Sequence, residues 1–149
     1  MPSYLDTSAV LRMVQKHGEL TLVDVALRND PVTSALAPLE CWASMHKKHL
    51  DGEITTDERD ELLGRVDDVM RVIEVLALDD AVLAEAFTVT RTHPLRTLDG
   101  VHLATALRVR GVLEARGERL RFCTADRRQA AAAAVEFGAT QVDLVPPWR

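Results

Sequence analysis

Short apolar runs that stop at a helix-capping residue recur along this chain, and this alternation constrains its fold more than any other feature. Tyr4-Leu5 gives way to Asp6-Thr7-Ser8, and Leu120-Arg121-Phe122-Cys123-Thr124 gives way to Asp126. A side-chain oxygen at such a junction accepts from the free N–H groups of a first helical turn, so each junction reads as a strand feeding a helix. Strands alternating with helices imply βα units, a central and mainly parallel sheet, and helices on both faces. The fold class is α/β, in one domain spanning 1–149, since domains of roughly 100–150 residues are the commonest.

The segments follow from the same signals. A helix is predicted from Thr7 to His17-Gly18 and a second over Leu20 to Arg28, after which Pro31 breaks the chain and Val32 to Leu36 forms a short strand. Pro38 suits the first turn of a helix running from Leu39 to His49, and Thr55 caps the next through Thr56-Asp57-Glu58. Val72 to Leu76 reads as a strand, Asp79-Asp80 as the start of a helix to Thr92, and Leu98 to about Gly117 as an Ala- and Leu-rich helix. The last elements are a strand over Leu120 to Thr124, a helix over Asp126 to Phe137 closed by Gly138, and a strand over Thr140 to Val145.

Composition narrows the function classes. The chain is 47% hydrophobic and 28% charged, near the globular average, so disorder and fibrous repeats are not indicated. No run approaches the roughly 18 apolar residues of a membrane span, and Met1 to Asp6 has no basic or long apolar leader; a cytoplasmic protein without a membrane partner is expected. Cys41 and Cys123 lack metal-ligand spacing and read as reduced, buried thiols. A net charge of −5 argues against non-specific coating of nucleic acid, although carboxylates gathered around cations present the opposite sign to a substrate.

In parallel α/β sheets the strand carboxyl ends face a common crevice. Asp6 ends the first strand, Glu40 lies just after the second, Asp99 starts the Leu103 helix, and Asp126 follows the strand ending at Thr124. Four carboxylates at one edge repel each other unless a cation binds, and oxygen-only donors select hard ions such as Mg²⁺ or Mn²⁺. Such ions support water-mediated cleavage of a phosphodiester. Asp6, Asp99 and Asp126 equally fit plain helix N-caps, and Glu40 would satisfy N-terminal N–H groups.

The strings Tyr4-Leu5-Asp6-Thr7-Ser8-Ala9, Ser34-Ala35-Leu36 with Glu40, Leu98-Asp99-Gly100-Val101-His102-Leu103-Ala104-Thr105-Ala106 and Thr124-Ala125-Asp126-Arg127-Arg128 occur in the order seen in PIN-domain ribonucleases. The chain resembles a VapC-type toxin of that family over essentially its whole length. The resemblance implies a PIN-like three-layer sandwich, an Mg²⁺-dependent endoribonuclease in which Mn²⁺ may substitute, a homodimer, an RNA substrate and a cognate VapB-type antitoxin. Asp6, Glu40, Asp99 and Asp126 match its acidic positions, and Ser8 and Thr124 its site-ordering hydroxyls. Arg128 stands where family members often carry a further Asp or Asn, which leaves open whether one or two metals bind.

His102 shares a helix face with Asp99, as a ligand or proton shuttle or, more simply, packed and hydrogen-bonded behind the site. Among Arg91, Arg96 and Arg108, Arg96 is the first choice for a phosphate contact; Arg12, Lys16, Lys47, Lys48 and His49 would border an RNA path or form a solvated face. Trp42 and Met45 fit a core or dimer stripe. Three rival readings stay open: a phosphatase with Asp6 as nucleophile, a catalytically silent PIN-like binding module, and a nuclease acting on DNA.

Overall fold

The computed structural model describes residues 1–15 and 26–146. Five parallel strands form one sheet in the order β3-β2-β1-β4-β5: β1 is Ser3–Leu5, β2 Pro31–Ser34, β3 Glu74–Leu76, β4 Arg121–Thr124 and β5 Val142–Leu144. The helices among the described residues are α1 Thr7–Val14, α2 Leu36–Leu50, α3 Thr56–Met70, α4 Asp80–Thr92, α5 Thr97–Glu114 and α6 Arg127–Phe137.

The period of two along each strand sorts the core into two layers. Tyr4, Val32 and Phe122 point to one face, where Val82, Ala86 and Val89 of α4, Val101, Leu103 and Ala104 of α5 and Ala132, Ala133 and Phe137 of α6 cover them. Leu5 and Cys123 point to the other, against Ala9, Val10 and Val14 of α1, Cys41 of α2 and Val66 and Val69 of α3. Tyr4 stacks on Phe122 at a centroid distance of 5.4 Å, and Phe122 meets Phe137 at 5.8 Å, which fixes β1, β4 and α6 as one unit. The sheet therefore has apolar side chains on both faces, the arrangement that helices on both sides require. Both thiols are free and buried, and burial pushes each up to about 12, so neither is a nucleophile.

Several element bounds differ from those predicted. α1 ends at Val14, short of His17-Gly18, which lies outside the described residues, as does most of the helix predicted over Leu20 to Arg28. Pro31 opens β2 instead of breaking the chain, and the strand stops at Ser34 because the Ser34 hydroxyl accepts from the Leu36 N–H and starts α2 there. Val72 and Ile73 lie in a turn before β3, an edge strand of three residues with a largely exposed face. The final strand begins at Val142, since Ala139–Gln141 forms a 3-10 turn after the Gly138 cap. The capping box at Thr55 and the Asp79 cap stand as predicted.

Two helices, α4 and α5, approach closely beside Asp99. A Cβ on Gly100 would lie 2.5 Å from Thr90 Cγ2 of α4, and the Thr90 hydroxyl is tied to the Ala86 carbonyl at 2.8 Å, so that side chain cannot turn away without losing its bond. Gly100→Ala should therefore force α4 and α5 apart and cost about 1–3 kcal/mol, lowering the thermal midpoint by several degrees. An unchanged midpoint in a calorimetric scan would show that the two helices separate freely.

Candidate active site

The parallel register between β1 and β4 pairs Leu5 with Cys123, so the next residues of both strands emerge side by side at the carboxyl edge. There Asp6 is almost fully buried and accepts at both oxygens: Oδ1 from the Ser8 hydroxyl at 2.6 Å and the Ala9 N–H at 3.0 Å, Oδ2 from the Thr124 hydroxyl at 2.5 Å. Each hydroxyl in turn accepts from the loop after β4, Ser8 from the Ala125 N–H at 2.8 Å and Thr124 from the Asp126 N–H at 3.0 Å. The two strand-to-helix loops are thus linked through Asp6. Burial raises the Asp6 carboxyl above its ordinary range, against the opposing pull of His102 and its hydrogen-bond donors.

Asp126 caps α6, its Oδ1 accepting from the N–H groups of Arg128 at 2.7 Å and Gln129 at 3.1 Å. The buried Gln129 side chain donates to the Asp99 carbonyl at 2.9 Å, which sets the start of α6 against the start of α5. Asp99 itself is not a cap. Arg96 occupies the N-cap position of α5, and the Asp99 carboxylate, in the first turn, makes no hydrogen bond among the described residues. Burial pushes its carboxyl up, and the charges of Asp126, Asp6 and Glu40 push it further, so all four carboxylates share one field.

Glu40 lies in the second turn of α2, not the first, and does not satisfy N-terminal N–H groups. Its Oε1 accepts from the Thr7 hydroxyl at 2.7 Å and from His102 Nε2–H at 2.7 Å. Because a carboxylate only accepts, an Nε2 proton faces Glu40, while Nδ1 meets the Tyr4 hydroxyl at 2.8 Å. Burial alone would raise Glu40, but the bonds from His102 and Thr7 outweigh it and hold the carboxyl below its usual range. His102 is buried with both ring nitrogens engaged, packed and hydrogen-bonded against Glu40, Thr7 and Tyr4. Tyr4 and Thr7 were not anticipated as partners; nothing local in the sequence links them to residue 40 or 102.

An open cleft of about 430 Å³ reaches two of the four carboxylates, Asp99 and Asp126, and is otherwise lined by Arg96, Ala125, Arg127 and Arg128. Arg96 is thus at the site, whereas Arg108 lines a separate groove with Arg110 and Arg116. Of the helical pair Trp42 and Met45, Met45 is buried and Trp42 is partly exposed beside His46. As the side chains stand, no three His, Cys, Asp or Glu groups among the described residues converge tightly enough to hold an ion. The donor chemistry nevertheless suits a hard divalent cation: Glu40 Oε2, Asp126 Oδ2 and both Asp99 oxygens carry no hydrogen bond among the described residues, and a cation relieves the repulsion that raises Asp99. A covalent role for Asp6 fits less well, since both its oxygens are occupied.

These features define a parallel α/β fold with an acidic centre at its carboxyl edge, and solved structures share that fold. A toxin–antitoxin complex from Klebsiella pneumoniae is similar with a TM-score of 0.63 at 15% identity, over 95% of this chain and 95% of that one. PAE2754 from Pyrobaculum aerophilum is similar with a TM-score of 0.66 at 18% identity, over 96% of this chain and 83% of that one. No curated protein matches the sequence significantly. The PIN domain family model matches residues 3–135, and the chain belongs to that family, whose members are generally nucleases that cut phosphodiester bonds.

Proposed function

We propose that this chain is a divalent-metal-dependent endoribonuclease, one nuclease domain acting as the toxin of a VapBC-type toxin–antitoxin pair. The observation that carries the reading is Asp99: a half-buried carboxylate with no hydrogen bond among the described residues, raised by three neighbouring carboxylates and facing a cleft lined by arginines. Structural capping explains one oxygen of Asp126 and part of Asp6, but it does not explain Asp99.

Asp6, Glu40, Asp99 and Asp126 would hold Mg²⁺, with Mn²⁺ as substitute. The bound cation supplies charge neutralisation at the scissile phosphate and acidifies the attacking water. The chain's own residues do the rest. Ser8 and Thr124 fix the Asp6 carboxylate, and Thr7 and His102 hold Oε1 of Glu40 so that Oε2 is the atom left to bind a cation. Arg96, exposed at the start of α5, would contact a phosphate oxygen beside Asp99. Hydrolysis adds water across one P–O bond and releases the two RNA ends.

A homodimer in the cytoplasm with a VapB-type antitoxin completes the reading. It is supported by the family and by the similarity to a toxin–antitoxin complex from Klebsiella pneumoniae. No helix among the described residues is long and apolar enough to cross a membrane. An antitoxin would neutralise the site by inserting a basic side chain among the carboxylates.

The test is incubation of partner-free protein with a mixed pool of structured cellular RNAs in Mg²⁺ or Mn²⁺, beside EDTA, Asp6→Asn and Asp99→Asn lanes. Discrete cuts that disappear in all three control lanes are expected. Identical RNA patterns in every lane, with folded protein, would leave the silent binding module as the better reading; cuts confined to DNA would move the substrate class.

A further inference from the structure

Ala125 and Asp126 form a saddle between two clefts. On one side lies the cleft of Arg96, Arg127 and Arg128. On the other a second cleft, about 310 Å³, runs between α1 and α2 and is lined by Ser8, Arg12, Gln15, Ser44 and Lys48 together with Ala125 and Asp126. Both flanks of the acidic centre are therefore basic.

Some surface cations are held in ion pairs and those at these flanks are not, a freedom they share with Arg91, Arg108 and Arg116 among the described residues. Lys47, Arg59, Arg65, Arg71 and Arg121 are each paired with a carboxylate. Among the described residues Arg12, Lys48, Arg96, Arg127 and Arg128 have no such partner, so an incoming anion displaces no resident carboxylate. The second basic arm also has an end: the next cleft shares Gln15 and Lys48 but balances its cations with Glu58 and Glu61, the latter paired with Arg65. An acidic point with a basic arm on either side matches a ligand whose negative charges continue in both directions from the bond attacked. A terminal phosphate or a mononucleotide would need only one arm.

We propose that Arg12 and Lys48, with Gln15 and Ser44 as neutral donors, bind the phosphate backbone of the substrate strand on the side of the scissile bond opposite Arg96, Arg127 and Arg128. The strand crosses the saddle over Asp126 and leaves beyond Lys48, where the next cleft offers no net positive charge to its continuation. This assignment rests on the nuclease reading and adds a direction to it: cleavage falls inside a strand because both arms are occupied.

The experiment measures binding apart from cutting. Fluorescence anisotropy with a labelled single-stranded oligouridine of about a dozen nucleotides, long enough for both arms, is recorded in the Asp99→Asn background across a salt series. Adding Arg12→Ala and Lys48→Ala should weaken binding at least ~10-fold at low salt and reduce the slope of log K against log salt by about 1.4, or roughly 0.7 for each lost phosphate contact. Arg12→Lys with Lys48→Arg should preserve the slope, and Arg65→Ala, from the charge-balanced neighbouring cleft, should leave both affinity and slope alone. Equal slopes in the double alanine variant and its parent overturn the second arm while leaving the nuclease reading in place. A parent that binds no RNA at low salt overturns both.

Discussion

Asp99→Asn is expected to do two opposite things: to reduce metal-dependent RNA cleavage by at least ~100-fold, the scale of losing one electrostatic participant in a phosphoryl transition state, and to raise the thermal midpoint of the metal-free protein. The first follows from the proposed role. The second follows from geometry alone. Asp99 caps nothing, so an isosteric amide forfeits no hydrogen bond among the described residues, and it removes a charge that Asp126, Asp6 and Glu40 repel. Differential scanning in EDTA reads the stability, and RNA cleavage in Mg²⁺ reads the activity. A midpoint that falls in EDTA would mean that the carboxylate holds the fold together, and the electrostatic argument would fail with it. Asp6→Asn should not behave this way, because Asp6 accepts three hydrogen bonds that an amide cannot all keep.

His102→Ala is expected to cost roughly 2–4 kcal/mol, the sum of a cavity left in a close-packed core and the loss of buried polar contacts. The imidazole touches β1 through Tyr4, α1 through Thr7 and α2 through Glu40. Without it the Tyr4 hydroxyl loses its partner at 2.8 Å and Glu40 keeps only Thr7, so the carboxylate is free to turn. Urea denaturation of His102→Ala, Tyr4→Phe and the double variant should show a coupling of about 0.5–3 kcal/mol between the two sites. His102→Gln, which retains a donor toward Glu40, should recover part of both stability and cleavage rate. Additive effects in the cycle would mean that the two side chains pack side by side without sharing a bond that matters.

Much of this architecture is legible from local chemistry. Asp6, Thr55, Asp79 and Asp126 announce their helices because a cap and the turn that follows it are neighbours in the chain. Strand bounds were less legible: with three or four residues per strand, a period of two has too few repeats to mark its ends, and β-branched Val72 and Ile73 belong to a turn. Asp99 is the instructive case. It arrives on a helix that follows another helix, so the rule about strand ends does not locate it, and the cap reading offered for it fails. The Asp99 string pointed to the site through resemblance. The partnership of Glu40 with His102, 62 residues apart, depends on how α2 and α5 meet across β1, and no local signal carries it.

The strand order also sets a timetable. β1 lies between β2 and β4, so a strand early in this sequence is completed by one far later in it, and Thr124 reaches Asp6 across 118 residues. Chains emerge from the ribosome N-terminus first, and contacts this distant in sequence form late. A nascent chain that has not yet exposed Asp126 holds Asp6, Glu40 and Asp99 without the hydroxyl and loop amides that order the first of them. On the nuclease reading proposed above, a chain released before Asp126 is made carries an incompletely ordered acidic centre, so cleavage waits on the β1–β4 pairing.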